Sequence, residues 1–66
     1  MSSYLKRLLA FRASQRLALR ESECVRDLVA MSPDRAAELA QIEAAITKRK
    51  EYIATITADI AKAQLS

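Results

Sequence analysis

The sequence predicts an all-α fold: a two-helix antiparallel hairpin of coiled-coil character, completed as a bundle by self-association or by a partner helix. Three observations carry this. The chain of 66 residues has no glycine, and Ala, Leu, Arg, Glu, Gln and Lys, which lose little side-chain freedom in a helix, fill its long stretches. Its single proline stands near the middle, in Met31-Ser32-Pro33-Asp34-Arg35. Beyond that proline, apolar residues recur at alternating spacings of three and four, the seam of a coiled coil.

The first helix is expected over about residues 3–30. Tyr4, Leu8, Phe11, Ala18, Val25 and Val29 form one stripe at spacings of three, four and seven, and this stripe is expected to face the second helix. Leu5, Leu9, Leu17, Leu19, Cys24, Leu28 and Met31 fall to either side of it. One helical partner needs only one stripe, so the surplus points to a second contact. Leu5, Leu9, Phe11, Leu17 and Leu19 are the candidate partner interface on this helix.

The turn is expected at 31–33. Proline pushes the residue before it out of the α region, so the first helix stops near Ala30 or Met31. Ser32 reads as an N-cap whose hydroxyl accepts from a free backbone N–H. Pro33 suits the first helical position, and Asp34 places negative charge at the positive end of the helix dipole.

The second helix is expected over about residues 33–64. Its seam runs Leu39, Ile42, Ile46, Arg49, Ile53, Ile56, Ile60 and Ala63. Of these, Leu39, Ile42, Ile46, Ile53, Ile56 and Ile60 are the candidate interface that must be buried against another helix. Isoleucine at both seam positions favours more than two strands, which hints at a bundle. Arg49 interrupts the seam with two readings: its stem packs while its head reaches water, or it makes a polar contact that sets the register. Tyr52 lies along the seam's edge. Folding back at the turn brings Val29 near Ala36, Val25 near Leu39 or Ala40, Phe11 near Ile53 or Ile56, and Tyr4 near Ile60 or Gln64. Helices of these lengths make a hairpin on the order of 45 Å long.

Charge is unevenly spread. Residues 1–20 carry Lys6, Arg7, Arg12, Arg16 and Arg20 and no acid, whereas residues 21–66 hold six bases and eight acids. Arg12, Arg16 and Arg20 recur every fourth residue as a ridge on helix 1, with Lys6 and Arg7 less directly joined. Three readings compete for it: a solvated face, a ridge that tracks nucleic-acid phosphates, or a docking face for an acidic protein. The stretch SSYLKRLLAFRASQRLALR also has the look of an organelle presequence or a membrane-surface helix, but removing it would strip helix 2 of its seam partner.

The residue types argue against chemistry. Cys24 is the only cysteine and histidine is absent, so no intrachain disulfide is possible and no second Cys or His exists to complete a metal site or activate a thiolate, and Cys24 reads as inert packing. Glu21, Glu23 and Asp27, close to Arg20 and Arg26, have the spacing of a solvated helix surface. A two-helix hairpin offers only a shallow groove, so no catalytic residue, cofactor, metal or small-molecule substrate is expected. No apolar run reaches the roughly 18–20 residues needed to span a bilayer, and the start lacks a secretory signal, so the chain is expected to be soluble and cytoplasmic.

These features predict a small non-enzymatic interaction module: an adaptor, regulator, assembly chaperone or small structural subunit that pairs with itself or with another protein. The alternative is a nucleic-acid-binding dimer, for RNA rather than DNA, using the basic ridge. In size and layout the chain resembles the plasmid repressor-of-primer family, whose two-helix chains pair as a four-helix bundle and bind RNA. It also looks like the small two-helix export chaperones and the short helical accessory proteins of phage particles. These likenesses are of layout, and no residue roles are carried over from them.

Overall fold

A computed structural model describes residues 2–65. Helix α1 spans Ser3–Ala30, a 3-10 turn spans Pro33–Arg35, and helix α2 spans Ala36–Leu65. The helices pack antiparallel in an all-α hairpin measuring 50 × 15 × 10 Å, without strands among the described residues.

Each end of α1 is closed by a local device. Ser2 is extended, and its Oγ accepts from the Leu5 N–H at 3.1 Å, an N-cap that supplies a partner for one of the free donors of the first turn. At the other end the N–H groups of Met31 and Ser32 donate back to the carbonyls of Leu28 (3.3 Å) and Val29 (3.0 Å), so the last turn tightens without a glycine. Ser32 is then extended (φ −110°, ψ 104°), as the residue before a proline must be.

The hinge corrects one expectation. The Ser32 hydroxyl makes no capping bond; instead the Ser32 carbonyl accepts from the Arg35 N–H at 3.1 Å. The backbone bond of a 3-10 turn satisfies that donor directly, and Pro33 has no N–H to offer. Arg35 also grips the first turn of α2, donating to a Glu38 carboxylate oxygen from Nε at 3.1 Å and from Nη2 at 2.5 Å.

The isoleucine seam of α2 faces α1. Ile46, Ile56 and Ile60 are buried, and Leu39, Ile42, Arg49, Ile53 and Ala63 are half-buried. The matching stripe of α1 differs from the one expected. It runs Leu5, Leu8, Arg12, Gln15, Leu19, Ser22, Arg26 and Val29, all buried or half-buried, at unbroken spacings of three and four. Tyr4, Phe11 and Val25, expected to face α2, are exposed instead. The fully apolar count favoured the wrong stripe because Arg and Gln can lie on a seam, packing their stems while their heads find partners.

The result is a thin core spaced along the rod. At the open end Leu5, Ile56 and Ile60 form a buried cluster with Leu8, Leu9 and Ala63 against it. Ile46 is buried near the middle and Val29 beside the hinge. One turn from Ile46 the seam is polar: Arg49 Nη1 donates to Gln15 Oε1 across the hairpin at 2.6 Å. Arg49 therefore makes the cross-hairpin contact, the second of its two readings.

Candidate functional site

The surface best developed for contact follows from where the seam lies. One position round from it, α1 carries Tyr4, Phe11, Ala18 and Val25 at intervals of seven, and α2 carries Glu38, Ala45, Tyr52 and Asp59 at the same interval. In an antiparallel pair these two rows meet along the same side of the hairpin. Phe11 and Tyr52 touch across it edge to face, with ring centroids 5.9 Å apart and planes at 85°, the geometry that sets a positive ring edge on a negative ring face.

Next to this aromatic pair the side chains shrink. Ala18 and Ala45 leave an open depression of about 410 Å³ between the helices, lined by Ala18, Glu21, Ser22, Val25, Ile42, Ala45 and Arg49. A second, of about 330 Å³, continues along Gln15, Ala45, Lys48, Arg49 and Tyr52. At the open end Tyr4, Asp59, Lys62 and Ala63 line a third of about 240 Å³. The face thus alternates rings and hollows, and its large apolar side chains stand in water: Tyr4 is 61 % exposed, Phe11 42 %, Val25 48 % and Tyr52 49 %.

The opposite side of the hairpin is polar. There Arg16 and Glu23 of α1 oppose Glu43 and Lys50 of α2, and Lys50 Nζ lies 3.9 Å from Glu23 Oε2. Arg16 and Arg20 border a hollow with Ala13 and Leu17 on the outer surface of α1.

The hydrogen bond from Arg35, and then its charge, hold the Glu38 carboxyl below its ordinary range; the same bond and the charge of Glu38 raise the Arg35 guanidinium. Among the described residues no three His, Cys, Asp or Glu side chains are grouped to hold a metal ion. The hollows are open rather than enclosed, which suits them to receive side chains from another surface.

No family model, curated protein or solved structure matches this chain.

Of the helix 1 interface residues, Leu5 is buried in the open-end cluster, with Leu9 packed against it, and Leu19 is half-buried on the seam. They close the hairpin and are not surplus. Leu17 and Phe11 are exposed, on different sides of α1. Leu39, Ile42, Ile46, Ile53, Ile56 and Ile60 face α1 within the same chain. The basic ridge is split: Arg12 turns onto the seam while Lys6, Arg7, Arg16 and Arg20 are exposed, because each four-residue step moves about 40° round the helix. Cys24, expected in apolar packing, is exposed, since it lies on the side of α1 away from the seam. Glu21 borders the depression of about 410 Å³, and Asp27 accepts from Arg26 Nε at 3.1 Å. No helix among the described residues is long and apolar enough to cross a membrane.

Periodicity alone does not bring Tyr4, Ala18, Val25, Ala45 and Tyr52 onto one face. The missing signal was Arg49: at the expected register it lies level with Gln15, so pairing those two would have rotated α1 onto its polar seam.

Proposed function

We propose that this hairpin is a small non-enzymatic protein–protein interaction module of the adaptor, regulator, chaperone or structural-subunit kind. The supporting observation is the face carrying Tyr4, Phe11, Val25 and Tyr52, whose large apolar side chains are left in water beside hollows of side-chain size. Aromatic anchors next to pockets are the features from which protein interfaces draw most of their energy. A reducing, cytoplasmic setting fits a chain whose single thiol has no partner of its own kind.

The test uses the full chain, with sedimentation for self-association and capture from host extract for other partners. Assembly of either kind is expected, and it should be lost in Tyr52→Ser and kept in Leu17→Ser on the outer surface. A folded chain that assembles with nothing at high micromolar concentration and captures nothing would overturn the reading. The alternative, RNA binding, is supported by the exposure of Lys6, Arg7, Arg16 and Arg20; it requires retention on RNA at low salt that falls steeply in Arg16→Gln/Arg20→Gln.

A further inference from the structure

The face bearing Phe11 and Tyr52 is uneven along its length, and the unevenness is self-complementary. The edge-to-face pair stands in the half nearer the open end. The hollow bordered by Ala18, Ser22, Ile42 and Ala45 lies in the half nearer the hinge. Phe11 and the centre of the hollow are separated by about ten residues of helix, roughly 15 Å at 1.5 Å per residue. A ridge and a hollow on one surface fit each other when two copies meet about a two-fold axis midway between them.

We propose that a second copy of this chain covers this face end for end, about a two-fold axis crossing the rod near Arg16 and Lys48. Each Phe11–Tyr52 pair then fills the alanine-lined hollow of the other copy. α1 lies antiparallel on α1 and α2 on α2, and the two hairpins make a four-helix bundle. The inference rests on the interaction reading above and names its partner.

Shape decides the orientation. The other two-fold arrangement, with its axis along the rod, sets rings on rings and hollows on hollows. Lys48 comes close to its own counterpart near the axis, at the outer edge where a long stem carries its charge into water.

Area is consistent with the same occupant. The chain exposes 5000 Å², against about 4200 Å² that size scaling gives for a folded monomer of 7.4 kDa. The excess is on the order of the 800 Å² that one partner contributes to a standard interface.

Sedimentation equilibrium of the full chain should give a dimer. Ala45→Arg, which fills the hollow at an exposed position, should weaken that dimer by roughly thirtyfold or more, the scale of a central interface residue, with helix content retained in circular dichroism. Phe11→Ser removes the ridge and should do the same, so it decides the matter if the first variant misfolds. Orientation is read from spin labels on Leu65→Cys/Cys24→Ser: end-for-end packing separates the two labels by about the 50 Å length of the rod. A short label distance, or a dimer indifferent to both variants, would overturn the proposal. So would a folded monomer at high micromolar concentration, which leaves the general interaction reading standing only if host extract yields a partner sensitive to Tyr52→Ser.

Discussion

The residue that most constrains this hairpin is Arg49. Placed on an apolar seam, its guanidinium needs an acceptor there, and half-buried Gln15 supplies one at 2.6 Å. A hydrogen bond to a charged group contributes about 1.5–3 kcal/mol when well shielded and less at a half-buried site such as this. Arg49→Ala and Gln15→Ala are each expected to lower stability by about 1 kcal/mol. The double variant should lose clearly less than the sum in urea unfolding, and strict additivity would show that the bond carries no coupling. Glu38 gives a pH-dependent counterpart at the hinge. Its folded pKa lies below the ordinary 4.5 because of Arg35, so its contribution is fully present above that value and is lost as pH falls through the depressed folded one. Glu38→Gln should therefore lower the melting temperature slightly at neutral pH, and the difference should shrink as pH falls through the depressed folded pKa. An effect that does not change with pH would assign the loss to packing.

Between elements, the hinge is set by backbone restrictions. Pro33 keeps Ser32 extended and so prevents α1 from running into α2. Pro33→Ala releases that restriction and should cost about 0.5–1 kcal/mol, largely through a freer unfolded chain, while partner binding by the Phe11–Tyr52 face is retained. Loss of binding in a variant that still forms the hairpin would move function to the turn. How far each helix was legible follows from its residues. The seam of α2 could be read because isoleucine recurs with only Arg49 breaking it. α1 could not, because two stripes one residue apart share Leu8 and Val29, and the one that packs contains Arg12, Gln15, Ser22 and Arg26. Hydrophobicity alone chooses the other. The candidate face was half visible for the same reason: Phe11 and Tyr52 were singled out, one as a stripe residue and one as an edge, but their meeting depends on which way α1 is turned.

At the scale of the whole molecule, a hairpin with five buried apolar side chains among its described residues, only three of them in one cluster, has little core of its own. Small domains of this kind are commonly completed by association. The end-for-end dimer would add a second layer along the length where the seam is polar, and the melting temperature should then rise with chain concentration. A concentration-independent transition would place all of the stability in the single hairpin.

The antiparallel course of the two helices also decides where a neighbour can be attached. Leu5 packs with Ile60, and Tyr4 shares a hollow with Ala63, so the first and last turns sit side by side at one tip, with Pro33 at the far tip of a 50 Å rod. A tag or reporter fused to either end would emerge from the same place and leave the long sides unobstructed. In the end-for-end pair, cargo on the two copies would be carried at opposite poles, and the assembly would act as a spacer of fixed reach.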